Sequence, residues 1–256
     1  MDAIRVHRSG LHFGEEAIVL GNDQSGMVQL SGCHLACHFC YTKETSVLNL
    51  GRDFSILEFR KLVGELILSG AKNINLISPT HVWSQIQSSL ESDAPLGVPL
   101  VLKVSGYESQ TIAKSMSALG DVFVPDFKCV SETVASACGL PSNYGKVTQG
   151  AIRCWLSTHG DADYDASGKL RRGIVVRHLL MPQCLEDSRA VVNALAEIGF
   201  HGVLNLMTCF IGAKGLVRAN PLEVRGVSDR ALEAGMHVLV DGKRLNFVEK
   251  EMGHAS

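Results

Sequence analysis

Between residues 27 and 207, short runs rich in Val, Ile and Leu alternate with stretches of helical period, and few folds satisfy that alternation. Strand, helix and strand repeated along a chain bury their apolar faces as a parallel sheet with helices packed against it. The strand-like runs are 27–30, 73–77, 99–104, 121–125, 174–181 and 203–207, with helical patterns at 54–68, 82–90, 110–119, 131–138, 143–157 and 187–198. The clearest helix has apolar residues at Ile56, Leu57, Phe59, Leu62, Val63, Leu66 and Ile67, preceded by Ser55 as N-cap with Glu58 three residues on. Residues 160–172 carry no apolar period and predict a turn or short hairpin before the fifth strand. Six β-α units are expected. After residue 220 the pattern changes to a short helix at 228–234, a run at 236–240, an Asp241-Gly242 turn and a run at 245–248, which predict a small hairpin.

The 256 residues are 46% hydrophobic, ample for a buried core. With 24 basic and 26 acidic side chains the formal net charge is −2, so no overall basic field recruits nucleic acid. No run approaches the roughly eighteen apolar residues of a membrane span, and Met1-Asp2-Ala3-Ile4-Arg5 is too polar for a secretory leader. The expectation is a soluble, cytoplasmic protein with no nucleic-acid or membrane partner.

Three of the eight cysteines form the spacing CxxxCxxC in Cys33, Cys37 and Cys40. Three thiolates bind three irons of a [4Fe-4S] cubane and leave the fourth open to a substrate or cofactor, which points to chemistry rather than structure. Zinc is the competing reading, with His34 or His38 as fourth ligand, but one short loop would then have to wrap four ligands around a single ion. A disulfide fits poorly with a reducing compartment. Cys129, Cys138, Cys154, Cys184 and Cys209 are scattered and read as small buried hydrophobes, with Cys209 held open for a further role.

With Phe39 before its last cysteine, this motif resembles that of the radical S-adenosylmethionine (SAM) superfamily. The flanking segments resemble its pyruvate formate-lyase activating enzyme-like branch. They are His12-Phe13-Gly14-Glu15-Glu16, Ser25-Gly26, Gly51-Arg52-Asp53-Phe54-Ser55, Asn73-Ile74-Asn75-Leu76 leading to Pro79-Thr80-His81, Ser105-Gly106-Tyr107-Glu108, Pro125-Asp126-Phe127-Lys128 and Val176-Arg177-His178-Leu179, and the resemblance runs in order from about residue 11 to about residue 207. The resemblance implies an α/β fold, a partial (β/α)6 radical SAM barrel with a short C-terminal β-hairpin appendage. Its divisions would be an N-terminal lid or extension at 1–26, the barrel at 27–210 and the appendage at 211–256.

It also implies a [4Fe-4S] cluster and SAM as cofactors. The cluster would be held by Cys33, Cys37 and Cys40, and an external one-electron reductant such as flavodoxin or ferredoxin would be required. Reductive cleavage of SAM then gives a 5′-deoxyadenosyl radical that abstracts a hydrogen, in activating enzymes from a glycine of a partner enzyme. Lys128 and Arg177 match the positions that receive the SAM carboxylate, and an arginine inside an apolar strand needs an anion. Two structural ion pairs, one of them with Asp126, are the alternative. Phe39 matches the residue lying against adenine, its alternative being core packing of the loop. Thr80, Ser105 and Asp126 lie in the matched SAM-facing segments. Gly26 and Gly32 would allow close backbone approach, and His178 should point to the opposite face from Arg177. His12, Glu15 and Glu16 resemble lid residues or a solvated turn.

Three segments depart from the branch. Pro79-Thr80-His81 stands where many relatives have Gly-Gly-Glu, and Lys103 stands where relatives often carry an acid or asparagine for the SAM ammonium or ribose. Residues 205–212, which include Cys209, replace a Gln-Tyr segment at the substrate edge. Lys103 and Cys209 are therefore candidate substrate residues. A glycyl-radical enzyme or peptide as substrate is one expectation, motivated by a chain with no long insertion closing the barrel. A biosynthetic enzyme acting on a small molecule or peptide is the second, and a non-catalytic iron-sulfur or zinc protein is the alternative of another class.

Overall fold

The computed structural model describes residues 3–13, 17–20, 23–35, 37–91, 96–212 and 215–244. Glu15, Glu16 and the run 245–248 lie outside the described residues. The N-terminal strand β1 (Ile4–His12) is followed by a four-residue helix α1 (Ala17–Leu20) and by β2 (Ser25–Leu30). A second four-residue helix, α2 (Lys43–Ser46), and strand β3 (Arg52–Phe54) precede α3 (Ile56–Leu68). Then come β4 (Ile74–Ile77), α4 (Trp83–Leu90), β5 (Leu100–Val104), α5 (Gln110–Met116), β6 (Val122–Pro125), α6 (Glu132–Ala137) and α7 (Tyr144–His159). Strand β7 (Ala162–Tyr164) turns into β8 (Leu170–Leu179), followed by α8 (Leu185–Glu197) and β9 (Val203–Met207). The chain continues through β10 (Cys209–Gly212), β11 (Gly215–Arg218), α9 (Pro221–Glu233), β12 (His237–Val240) and β13 (Lys243–Arg244).

The main sheet runs β13-β12-β9-β8-β6-β5-β4-β2-β1-β3, with β7 on the flank of β8. The six strands expected from the sequence all form and pair in parallel from β2 to β9. A seventh parallel strand joins them: β12 pairs with β9, His237 opposite Val203 and Val240 opposite Leu206. The expected hairpin turn is present at Asp241-Gly242, where both residues have positive φ, the geometry of a two-residue type I′ turn. The hairpin's first strand also pairs with β9 of the barrel, because the apolar run 238–240 has an open edge of β9 to cover. The expected turn in 160–172 is the β7-β8 hairpin.

Local sequence sets the helices. In α3 the Ser55 hydroxyl accepts from the Glu58 N–H while the Glu58 carboxylate accepts from the Ser55 N–H, a complete capping box. Alternation within the strands builds two apolar layers. One face of the sheet meets the helices through Phe59, Trp83, Phe123, Trp155 and Val191, with Phe123 stacked on Trp155 at 4.7 Å. The other face forms a separate inner cluster of Val101, Val122, Val124, Val175, Val203 and Leu239, joined by Leu170 and by Val19 of α1. Small β-branched side chains suit the concave inside of a barrel wall.

Candidate active site

The inner face changes character toward the C-terminal ends of the parallel strands. Two residues beyond the last inner apolar residue of β5, β6, β8, β9 and β12 stands a polar one: Val101 and Lys103, Val124 and Asp126, Val175 and Arg177, Val203 and Asn205, Leu239 and Asp241. An apolar floor therefore carries a polar rim, at the end of the barrel where loops present catalytic groups.

The three-cysteine loop leaves the C-terminal end of β2. Its entry is fixed by backbone bonds from Ser31 N–H to the Arg5 carbonyl (2.9 Å) and from Gly32 N–H to the Thr45 carbonyl (2.8 Å). Gly32 has φ +87°, and a Cβ there would press on the His81 ring at 2.9 Å. Cys33, Cys37 and Cys40 are all half-buried. The Leu35 N–H points at Cys33 Sγ (3.4 Å), and the Ser46 hydroxyl lies 3.1 Å from Cys40 Sγ. Burial raises the Cys33 thiol above its usual range and pushes Cys37 up to about 11, with Lys128 pulling in the opposite sense at both. Each also feels the charge of the other two cysteines or of Cys40, so the three sulfurs share one neighbourhood. Among the described residues no three His, Cys, Asp or Glu side chains converge on a single metal ion. A cubane asks for a different arrangement, one sulfur per iron, and N–H and O–H donors directed at those sulfurs are how proteins tune such clusters.

Across the rim, Asp126 lies just beyond β6 and Arg177 on β8, paired as a β-bridge. Arg177 Nε donates to Asp126 Oδ1 (2.8 Å), while Lys128 Nζ donates to Asp126 Oδ2 (2.6 Å). Burial works against the charge on Asp126, but Arg177 and Lys128 outweigh it and hold the carboxyl below its ordinary range. Burial likewise opposes the Lys128 ammonium, and Asp126 reverses that, so Lys128 keeps its proton more firmly than a free lysine. One carboxylate thus holds both cations in place, and the set Asp⁻, Lys⁺, Arg⁺ keeps one positive charge in excess.

Ser105 ties this triad to the neighbouring loop. Its carbonyl faces Lys128 Nζ (3.4 Å) and accepts from the buried Tyr144 hydroxyl (2.7 Å), and its own hydroxyl donates to Glu108 Oε1 (2.9 Å). Gly106, at φ +85°, lies so close to the Asp126 carbonyl oxygen that a Cβ would overlap it. Thr80, just after β4, donates to the same Glu108 oxygen at 2.8 Å. His34 of the cysteine loop reaches Ser105 Oγ (3.0 Å) and stacks over Tyr107 at 6.4 Å. Cys33, Cys37, Thr80, Ser105, Asp126, Lys128 and Arg177 therefore belong to one linked constellation. Phe39 packs against the main core. Lys103 stands on the inner face of β5, opposite Val124 of β6. Cys209 opens a separate two-stranded ribbon, β10-β11, with its sulfur 4.0 Å from the Thr208 hydroxyl. His178 is buried behind β8, donating from Nδ1 to the Phe127 carbonyl (2.7 Å) and accepting from the Ser188 hydroxyl (2.8 Å).

Two participants were not singled out from the sequence. Glu108 closes the matched segment 105–108 with no spacing that marks it as a site acid, and Tyr144 falls inside the helical pattern 143–157. The recurrence of an apolar residue followed two positions later by a polar one would have marked Asn205 and Asp241 as rim residues.

No family model matches the sequence, and no curated protein matches it. Solved structures do match. The radical S-adenosylmethionine methyltransferase TsrM from Kitasatospora setae, solved with cobalamin and a [4Fe-4S] cluster, superposes with a TM-score of 0.52 at 14% identity over 72% of this chain and 36% of TsrM. The chain has the radical S-adenosylmethionine enzyme fold. A second structure, anSMEcpe with bound AdoMet, gives a TM-score of 0.52 at 12% identity over 82% of this chain and 61% of its own. QueE from Escherichia coli aligns over 94% of both chains at 10% identity, with a TM-score of 0.49. The chain thus spans about a third of TsrM and three-fifths of anSMEcpe. Among the described residues no helix is long and apolar enough to cross a membrane.

Proposed function

We propose that this protein is a radical SAM enzyme in which Cys33, Cys37 and Cys40 hold a [4Fe-4S] cluster and the rim of β4, β5, β6 and β8 holds SAM. The reading is carried by one observation: a loop with three half-buried thiols lies within electrostatic reach of Lys128, and Lys128 and Arg177 share a single carboxylate. When bound, the cluster and SAM would supply a 5′-deoxyadenosyl radical that abstracts a hydrogen atom from the substrate. The protein's own part is positioning. The residual positive charge of Asp126, Lys128 and Arg177 suits the SAM carboxylate, since guanidinium and ammonium groups are the strong partners of a carboxylate. Tyr144, by bonding the carbonyls of both Ser105 and Asp126 at 2.7 Å, keeps two adjacent loops in register. The half-buried cysteine loop limits water around the thiols and donates N–H and O–H groups to them.

For the substrate, we propose hydrogen abstraction from a peptide or a glycyl-radical partner enzyme, in keeping with the activating-enzyme-like segments. Lys103 on the inner face supports a second reading, a small anionic metabolite taken deep into the barrel. The one-electron donor would be a small redox protein such as flavodoxin or ferredoxin, acting in the cytoplasm. Anaerobic reconstitution tests the initiation step: the protein should take up four irons and release 5′-deoxyadenosine from SAM under strong reduction. Each of Cys33→Ala, Cys37→Ala and Cys40→Ala should abolish both properties. Uptake of one zinc instead, with no response to SAM, overturns the reading.

A further inference from the structure

Four large apolar side chains of the segment 41–50, those of Tyr41, Val47, Leu48 and Leu50, are between 48% and 82% exposed. The backbone beneath them is fixed. Buried Thr45 accepts from the Gly32 N–H at its carbonyl (2.8 Å) and from Gln29 Nε2 at its hydroxyl (3.2 Å). The Leu50 carbonyl accepts from the Ser31 hydroxyl. The N–H groups of Ser46 and Val47 close the turn of α2 onto the Thr42 and Lys43 carbonyls, both at 2.9 Å. Single exposed apolar residues are ordinary, but several gathered on one ordered segment mark a surface that meets a partner.

The inner side of the same segment identifies that partner. Ser46 and Thr42 set their hydroxyls 3.1 Å and 3.9 Å from Cys40 Sγ. The contact of the cysteine loop with the SAM-facing rim runs elsewhere, through His34 on the Ser105 hydroxyl (3.0 Å). A substrate that gives up a hydrogen atom has to reach SAM at that rim. An electron donor needs only to come near the cluster, because tunnelling through protein weakens steeply with distance. Ser46 alone links the Cys40 sulfur to the helical turn that presents Val47 and Leu48 to solvent. The stretch 41–52 carries Lys43 and Arg52 against Glu44, a positive excess. Charge of that sign draws in and orients an acidic partner, and the apolar side chains supply the contact that holds it.

We propose that residues 41–50 form the docking face of the one-electron donor, an acidic, low-potential carrier protein of the flavodoxin or ferredoxin type. This rests on the radical SAM reading above. One electron leaves the reduced carrier and enters the cluster beside Cys40, and no proton or atom is exchanged.

The test compares two sources of electrons for the anaerobically reconstituted, cluster-loaded protein: dithionite, a small ion that needs no docking face, and pre-reduced flavodoxin or ferredoxin freed of other reductant. Release of 5′-deoxyadenosine is followed against carrier concentration, and binding of the oxidised carrier is measured by calorimetry. Leu48→Asp should weaken carrier binding and raise the carrier KM by about tenfold, with the dithionite-driven rate unchanged. Lys43→Glu, which keeps the apolar surface, should weaken binding about fivefold at low salt and carries the test if Leu48→Asp fails to load its cluster. Unchanged carrier binding in either loaded variant overturns the proposal, as does an equal loss with dithionite, which would assign the segment to support of the cluster. A wild-type dimer that Leu48→Asp converts to a monomer assigns the face to a second copy of the chain and also overturns it. So does wild-type protein that cleaves SAM with dithionite and with neither carrier. Wild-type protein that cleaves no SAM even with dithionite overturns the functional reading itself.

Discussion

Asp126 and Arg177 face one another at the ends of adjacent parallel strands, with Arg177 Nε and NH2 both 2.8 Å from Asp126 Oδ1. The other oxygen of the same carboxylate takes Lys128 at 2.6 Å. Structural ion pairing and anion binding are therefore compatible roles for the two cations, since the carboxylate orients them and leaves them net positive.

Removing the shared acid should expose that dependence. Asp126→Asn leaves two neighbouring cations without their common partner, and because the site is only partly shielded from water we expect a loss of about 2 kcal/mol, below the range for a fully buried pair. Chemical denaturation measures it. A variant as stable as wild type would show that Lys128 and Arg177 hold their positions by other contacts.

Gly106→Ala should be more damaging than its size suggests. The residue has φ +85° and its new methyl would overlap the Asp126 carbonyl oxygen, so backbone strain of about 1–3 kcal/mol adds to displacement of the triad. The melting temperature and SAM affinity should fall together. Loss of stability with SAM affinity retained would separate this turn from the binding rim.

The pH dependence of stability has a defined sign at His178. Burial keeps this imidazole neutral and its pKa below the ordinary value, against the bond to the Phe127 carbonyl. As pH falls below about 6.5, the unfolded chain gains a proton that folded His178 refuses, and stability drops by up to about 1.4 kcal/mol per pH unit. Denaturation midpoints at pH 7.5 and 5.5 should differ less in His178→Gln than in wild type. Equal slopes in the two proteins would remove His178 from the account.

Asp241 pins the β10-β11 ribbon to the barrel, accepting from Thr208 N–H at 2.7 Å and from the Thr208 hydroxyl at 2.5 Å. Asp241→Ala should cost about 1–2 kcal/mol and speed proteolytic cleavage within the ribbon, while SAM affinity stays as in wild type. Unaltered proteolysis would mean that the Ala219 N–H to Thr208 carbonyl bond (2.8 Å) suffices to fix the ribbon.

What could be read from the sequence follows the range of the interactions involved. The capping box of Ser55 and Glu58 and the type I′ turn at Asp241-Gly242 are written within four residues, and both were legible. The spacing of the three cysteines is likewise local, and Arg177 stands out in the sequence as a charge that interrupts an apolar run. The parallel pairing of β12 with β9 joins residues more than thirty positions apart, and nothing local distinguishes it from a terminal hairpin. The same holds for Glu108: its importance lies in donors from two different loops, and no spacing records that they meet.

Among the described residues the seven parallel strands form an open sheet, and an open sheet has two outer edges that another chain could pair with. Among the described residues those edges belong to β3 and β13, of three and two residues, the shortest outer strands of the sheet. Arg52 and Asp53 are exposed on the first, and Lys243 on the second. Short, charged edges give a foreign strand too few bonds to hold. The sheet can remain open at both edges without becoming a template for its own aggregation.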